Sequence, residues 1–564
     1  MKWEYNSLSP VEISTNAGKW QKSALITTLL LNRGFQNEES VKEFINPTAD
    51  DFEDPFAFEM MDLVIEAIFK RIERKEKIFV YGDYDVDGIT STAFLVLVLR
   101  DLGGIVDYYI PKRTEESYGL DKKTIDFIKD QGGKLIVTVD TGYNKIEDVA
   151  YARSRGVDII VTDHHMAIKD QEEDRVPVIN PKMSESYPFK YLSGAGVVLK
   201  LAQGICKKYN LPLENIYQYM DIVMIGTVAD VVPMVSENRV IIKEGLRRLK
   251  QTKVKGLTYL LRYLRLNDKD VTTTDVSYFI SPLINSLGRI GDSKMGADFF
   301  TEEDDFTIYN IIEEMKKNNK IRRELEKRIY EDAIREVTKQ NTEKIKSLFL
   351  YSEKWHPGVI GVVSSRLSIK YNVPVTLIAL KNGYGKASCR SINGISIFNI
   401  FENMKNNLIR FGGHDLASGF VVEQKKIPDI ADEYRKVIEN LQVEEADTIL
   451  RIDAEFPVEN VNEELFCDLE CISPFGLGNP NPLFLDRKVT IINVKKFGVG
   501  DRHFNGLILK NQKTYPMVAF ELGHKIDEHT IESRKVDIVY YPEKTTFKGV
   551  NIIQIRVRDL RIVE

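Results

Sequence analysis

The sequence predicts an α/β protein: a doubly wound, mostly parallel sheet, a long connecting helix, a second α/β unit and a terminal β-rich domain. Three observations carry this reading. Between residues 74 and 232, short β-branched apolar runs alternate with stretches of helical length, as crossover helices on a parallel sheet require. Residues 310–346 hold eleven Lys or Arg against eight Asp or Glu, yet Ile321, Leu325, Ile329, Ala333 and Val337 recur every four residues. From about 446 the texture changes to strands separated by turns.

Taken in order, residues 1–60 are a helical preface without readable chemistry. The first α/β domain is placed at 61–305. Its strands are expected at 77–82 (KIFVYG), 105–110, 134–139 and 158–162, bounded by Gly or Asp, and its helices at 91–101, 121–131 and 145–155. Residues 240–305 look helical. The segment 306–346 is a long helix with one apolar stripe. It suits a strut between domains, a solvated bundle helix equally well, or a basic wall for a polyanion. A second α/β unit spans 347–445 and opens with a strand at 347–351. The remainder, 446–564, carries alternating strands such as VTIINV (489–494), VDIVYY (536–541) and VNIIQIRV (550–557), which suit an all-β barrel or sandwich.

Composition narrows the class. At 564 residues the chain exceeds one ordinary core. Its 43% hydrophobic and 29% charged residues exclude a mostly disordered or fibrous chain. The apolar run near 94–99 falls far short of the roughly 18–20 residues of a membrane helix. The opening Met1-Lys2-Trp3-Glu4-Tyr5 lacks a signal pattern. Four cysteines, Cys206, Cys389, Cys467 and Cys471, suggest a reducing compartment. A cytoplasmic protein without membrane contact is expected.

Chemistry gathers at the strand ends. In an open α/β sheet, ligands bind beyond the carboxyl ends of the strands. There the sequence places Asp83-Tyr84-Asp85-Val86-Asp87-Gly88, Asp140-Thr141-Gly142 and Asp163-His164-His165, and an apolar helix ends in Asp230. A lone Asp after a strand is usually a cap or turn residue. Asp163 alone could be that, with His164 and His165 on the surface; the whole set is far less readily explained so. Carboxylates crowded at one edge require a cation between them, and mixed with imidazole they select Mn²⁺ or Mg²⁺. Two such ions about 3.5–4 Å apart would clamp both oxygens of a phosphoryl transfer.

These motifs resemble the DHH phosphoesterase superfamily. Within it, GDYDVDG followed by VTDHH and GTVADVVP resembles the RecJ family of single-strand-specific exonucleases, over roughly residues 60–564. The resemblance implies that Asp85, Asp87, Asp140, His164 and Asp230 ligate two Mn²⁺ or Mg²⁺ ions. It places His165 beside them in the catalytic set, with Asp83 and Asp163 in support. Many superfamily members carry His where this chain has Tyr81.

Three further segments, Trp355-His356-Pro357-Gly358, Ala387-Ser388-Cys389-Arg390-Ser391 and Phe411-Gly412-Gly413-His414, together resemble the DHHA1 domain. The resemblance implies that Ser388, Arg390 and His414 hold phosphate across a cleft from the metals, with His356 nearby. Here Ala387 and Cys389 replace the family's usual glycines and Ser418 its usual Ala. Cys389 reads as a packing or loop residue, since nothing nearby marks an activated thiolate. Arg113, Asn285 and Arg289 are further expected substrate contacts by family position. Ser193-Gly194-Ala195-Gly196 opens a helix and could bind an anion, although close helix–sheet packing is the preferred reading. Cys467 and Cys471 lack the second pair of a zinc site.

By the same resemblance, Ser473-Pro474-Phe475-Gly476 introduces an OB-like barrel that binds single strands. Phe475, Phe484, Lys495, Lys496, Phe497 and Arg502 are its candidates, with core burial the commoner fate of such Phe.

The implied activity is metal-dependent 5′→3′ hydrolysis of single-stranded DNA to 5′-mononucleotides in recombination and repair. The expected partner is a single strand with a 5′ end, a single-strand-binding protein or a helicase being compatible, and the chain is expected to be a monomer. The alternatives are a DHH/DHHA1 phosphodiesterase on short oligoribonucleotides or cyclic dinucleotides, a DHH pyrophosphatase, and a non-catalytic single-strand-binding scaffold. Residues 446–564 disfavour the first, the phosphate-facing segments the second and the complete acid set the third. The net charge of −6 argues against a basic nucleic-acid coat only on the whole-chain scale. His164, His165, His356 and His414, four of the seven histidines, fall inside the motifs.

Overall fold

A computed structural model describes residues 2–5, 8–113, 119–142, 146–165, 176–339, 345–441, 449–498, 500–527, 531–547 and 550–563. The expected boundaries at 145 and 445–446 lie outside the described residues. The chain forms two compact units. One comprises Glu53–Val232 and Glu244–Ala446; the other comprises Met1–Phe52, Pro233–Lys243 and Asp447–Glu564. Among the described residues no helix is long and apolar enough to cross a membrane.

The first unit is built on a five-stranded parallel sheet. Its spatial order is Val106–Tyr109, Lys77–Gly82, Gly133–Val139, Asp158–Thr162 and Val178–Ile179. The strand KIFVYG is almost wholly buried, as an apolar β-branched run covered on both faces should be. The chain leaves Lys77–Gly82 toward one edge of the sheet, and after Gly133–Val139 it proceeds toward the other. That reversal opens a crevice beyond the carboxyl ends of these two neighbouring strands. Helix Val86–Asp101 follows the first strand and is buried over nearly its whole length, which explains its lack of a polar face.

Helix Asp305–Lys339 runs for 35 residues and is the strut. Ile308, Ile311, Ile312 and Met315 are buried in its first half. Ile329, Ala333 and Val337, in its second half, enter a core with Leu348, Val363, Leu367, Val375 and Leu377. That core supports a mixed sheet in the order Arg410–His414, Ala417–Glu423, Tyr384–Arg390, Val375–Lys381 and Leu348–Ser352. The last two strands pair in parallel and the others antiparallel.

In the second unit, strands Phe484–Phe497, His503–Lys510, Lys513–Ala519, Val550–Ile562 and Val536–Phe547 pair in turn, and the last returns to the first, closing a five-stranded barrel. Closure removes the exposed edges a sandwich would leave. The helical preface needs correction. Trp20, Ile26, Leu29, Leu30, Val41 and Phe44 share one core with barrel residues such as Phe484, Ile491 and Ile555. Lys2–Tyr5 is a strand, parallel to Ile449–Ile452. Residues 1–52 are therefore part of the barrel's unit rather than a separate preface. Nothing local in their sequence marks a pairing between Lys2 and Ile449, so distant in the chain.

Candidate active site

The acids arrive at the crevice by ordinary local folding. Asp85 caps helix Val86–Asp101, its Oδ1 accepting from the Asp87 and Gly88 amides at 3.0 and 3.2 Å. In the first turn of that helix, the buried Asp87 carboxylate accepts from the Gly194 amide at 2.6 Å and the Ala195 amide at 3.0 Å. The helix opened by Ser193 thus does bind an anion, and the anion is Asp87. Close packing governs the same spot, because a Cβ on Gly194 would lie 2.6 Å from the Asp140 side chain. Asp140 follows strand Gly133–Val139 with φ of 58°, a left-handed turn that a non-glycine residue adopts at a cost. Asp230 ends helix Met220–Ala229. The next residue, Val231, is held at φ 59°, a conformation its β-branch disfavours.

His164 Nε2 lies 3.1 Å from Asp140 Oδ1, 3.7 Å from Asp230 Oδ2 and 3.9 Å from Asp87 Oδ2. Among the described residues neither Nε2 nor Asp140 Oδ1 has a hydrogen-bond partner, though both are buried. Burial and the neighbouring His165 cation push the His164 pKa down to about 3, so the ring is neutral. Its bond to the Leu192 backbone occupies the other nitrogen and leaves an Nε2 lone pair facing carboxylate oxygens. Such an arrangement is repulsive until a cation enters it. The carboxyl groups report the same crowding. Burial first, then mutual repulsion, raises Asp83 to about 8, Asp87 to about 7 and Asp230 to about 8, and lifts Asp140 well above the carboxylate range.

The donors fall into groups of metal-ligating size: Asp87, His164 and Asp230; Asp83, Asp85 and Asp140; and Asp140, His164 and His165. The first two share no residue. Asp163 belongs to none of them. Its Oδ1 accepts from both histidine amides and lies 2.8 Å from His165 Nδ1. Burial would lift the Asp163 carboxyl, but its bonds to His165 outweigh that and lower it. Burial likewise opposes the His165 charge, and Asp163 reverses the balance, raising His165 to about 9. Tyr81 is buried against Tyr109, with ring centroids 6.0 Å apart. Its ring belongs to the sheet core.

Opposite charge lines the strand Tyr384–Arg390. Its alternation buries Gly385, Ala387 and Cys389 and leaves Lys386, Ser388 and Arg390 on the other face. Burial pushes the Cys389 thiol up to about 12, which excludes a thiolate nucleophile. Arg390 donates to the Cys389 carbonyl at 2.8 Å and lies 3.4 Å from Ser388 Oγ. Ser388 Oγ also sits against Gly361, where a Cβ would approach to 3.0 Å. Arg113 lies over the Tyr84 ring at 4.8 Å. Arg289 donates to Asn285 Oδ1 at 3.1 Å and to the Gly358 carbonyl at 3.3 Å. The Gly358 amide in turn donates to His356 Nδ1 at 3.1 Å, so His356 braces this loop. Burial, then the proximity of Arg113, lowers Arg289 to about 9.

The His165 and His414 rings stack at 6.0 Å, joining the acid cluster to the second sheet. Lys386 escaped the sequence reading. Its Nζ donates to the Arg113 carbonyl at 2.6 Å, and burial followed by Arg113 lowers it to about 8. The two-residue period that pairs it with Ser388 and Arg390 was the available signal. In the barrel's unit, Phe484 is fully buried, which removes it as a stacking surface, and Phe475 is partly buried against the same core. Phe497 instead lies beside His503 and Phe520, at 5.2 and 6.0 Å.

Comparison with known proteins follows the same division. Residues 77–227 match the DHH family N-terminal domain, 344–440 the DHHA1 domain and 452–559 the RecJ OB domain. A single-stranded-DNA-specific exonuclease RecJ of Bacillus subtilis (strain 168) is 30% identical over 568 residues, covering 100% of this chain and 71% of the relative. The chain belongs to the RecJ family. A second RecJ exonuclease, from Haemophilus influenzae, is 28% identical over 94% of this chain and 95% of its own length. The crystal structure of RecJ in complex with Mn²⁺ from Thermus thermophilus superposes with a TM-score of 0.83 at 25% identity, covering 100% of this chain and 80% of that one.

Proposed function

We propose that this RecJ-family chain is a metal-dependent exonuclease that degrades single-stranded DNA from the 5′ end to 5′-mononucleotides, in recombination and repair. The observation that carries the reading is the unpartnered His164 Nε2 and Asp140 Oδ1, buried among carboxyl groups that repel one another. A hard, oxygen-preferring divalent cation fits that donor set, Mn²⁺ or Mg²⁺ above softer metals. Asp85, Asp87, Asp140, His164 and Asp230 would hold it, with Asp83 able to join the group around Asp140. A bound pair of such ions lowers the pKa of water and neutralises charge developing on the phosphate.

The chain's own residues supply the rest. Arg390, Ser388 and Lys386 on one strand face, with Arg113 and Arg289, bind the phosphates of the strand and fix its end. Asp163 keeps His165 protonated, so its ring can hold a proton at Nε2 beside the cluster. The backbone amides of Gly194 and Ala195 fix Asp87 in place. A cytoplasmic monomer suffices for this activity.

The test is hydrolysis in Mn²⁺ of a strand labelled at either end. The 5′ label should appear at once as a mononucleotide, and the 3′ label should shorten stepwise. Hydrolysis of an RNA dinucleotide beside an intact DNA strand would replace this reading with the oligoribonucleotide one.

A further inference from the structure

The strand Tyr384–Arg390 lies between Val375–Lys381 and Ala417–Glu423, and its two borders are specified differently. Toward Val375–Lys381 the link is the two-residue turn Asn382-Gly383, with φ of 52° and 80°. Two consecutive left-handed residues mark a hairpin turn that fixes register by itself. Toward Ala417–Glu423 the connection is residues 391–416, too long to impose a register. Yet this second border matters to the site. Arg390, Ala417 and His414 form one row across three strands, so the register here sets how far His414 stands from Ser388 and Arg390. A slip of two residues would keep every side chain on its proper face and move His414 by about 7 Å against Arg390.

The buried face carries the marks of the observed register. Ala387 lies between Ile378 and Phe420, small between bulky. One row on, Cys389 lies between Thr376 and Ser418, and all three are buried. Both hydroxyls interact with the thiol, and Thr376 also with the hydroxyl of Tyr434 on the helix Ile427–Asn440. These contacts are soft. By ordinary geometry the Thr376, Ser418 and Tyr434 hydroxyls have no hydrogen-bond partner among the described residues. The row continues into Gly413, beside His414, where a Cβ would lie 2.4 Å from Ser418 Cα. Polar groups buried in this way cost stability that apolar ones would not, so packing alone does not account for them. Register does. A slip of two residues in one direction would set Ser418 against Ala387, and in the other Phe420 against the Cys389 thiol.

We infer that Cys389 and Ser418, backed by Thr376, are positioning residues: as a cross-strand pair they keep the strand of Ser388 and Arg390 in step with the hairpin of His414. The groups that face phosphate then stand at one spacing, while their side chains still adapt to each nucleotide. A mixture of registers would leave only part of the molecules competent to bind, and apparent affinity falls in that proportion. Cys389 thereby acts through its neighbours, with no covalent part in the reaction. This inference rests on the exonuclease reading.

The test measures KM and kcat of the full chain in Mn²⁺ on a 5′-phosphorylated oligothymidylate. Cys389→Ala and Ser418→Ala should each raise KM about threefold or more, with kcat within about twofold, because each leaves a buried polar group without its cross-strand partner. Their melting temperatures should stay within about 3 °C of wild type. Cys389→Ser, alone or combined with Ser418→Cys, keeps two polar partners and should hold KM within about twofold of wild type. Amide exchange should accelerate in strands 384–390 and 417–423 of the alanine variants alone. An unchanged KM in both alanine variants, or an equal rise in Cys389→Ser, would overturn the inference while leaving the exonuclease intact. A fall in kcat as large as the rise in KM would overturn it too, as a general loss of structure. A wild type that leaves 5′-phosphorylated single strands uncut in Mn²⁺ would overturn both readings.

Discussion

The acid crevice and the strand Tyr384–Arg390 face one physical problem with opposite signs. Both crowd like charges away from water. At the crevice, burial and then mutual repulsion raise carboxyl pKa values, to about 7 for Asp87 and about 8 for Asp230. Across from it, burial lowers the cations, to about 8 for Lys386 and about 9 for Arg289. They differ in support. The acids are fixed by backbone amides and a strained turn, whereas the cations stand on side chains and carbonyls. A site for ions must hold its geometry before the ion arrives; a site for a strand must tolerate whichever nucleotide comes next. Rigidity therefore belongs to the first and adaptability to the second.

Breaking the acid side should cost most. Asp140→Asn keeps shape and accepts the left-handed turn, yet removes one charge and one ligand. Hydrolysis should fall about 10³-fold or more, which corresponds to several kcal/mol of lost charge stabilisation. The melting temperature of the metal-free protein should rise, because a repelling charge is gone. A fall in both would refute the crowding argument. Removing metal from the wild type should abolish hydrolysis reversibly. Saturating Mn²⁺ should stabilise the wild type by about 2–3 kcal/mol at a hundredfold excess over its dissociation constant, as calorimetry can read.

On the cationic side the losses should be graded. Arg390→Ala should raise KM about 10- to 100-fold, with a smaller change in kcat, because it removes a charge-assisted contact to phosphate. Lys386 sharpens the contrast through pH. Its lowered pKa means that it loses its proton as pH rises through about 8, so strand affinity should fall about two- to fivefold between pH 7 and 9. In Lys386→Arg that slope should flatten. Cys389→Ser should change hydrolysis by less than about threefold, since the thiol is buried and protonated. A large loss of kcat there would revive a nucleophilic cysteine.

What was legible in the sequence follows the range of the interactions. Strand ends carrying Asp83, Asp85, Asp140 and Asp163 are local facts, so the parallel sheet and its acid edge could be read directly. The stripe Ile329, Ala333 and Val337 likewise announced the strut. Lys386 was legible in principle, through the alternation it shares with Ser388 and Arg390, although it lies just outside the motif those two carry. Three features could not be read. The core shared by Trp20 and Phe484 depends on contacts far apart in the chain. The bonding of Asp87 to Gly194 and Ala195 uses backbone amides, which every sequence contains. A turn of π-helix at Val276–Ile280 depends on how its neighbours pack and leaves no periodic mark.

Those amides have a consequence for how the site can change over generations. A carboxylate held by side chains can lose its support through any substitution at the donor. Asp87 is held by peptide groups, so substitution at positions 194 and 195 can alter size but cannot delete a donor, proline excepted. With Asp140 2.6 Å from where a Gly194 Cβ would stand, size is the one tolerance that is spent. The crevice is thus buffered against most chemical drift and vulnerable to a single added methyl group.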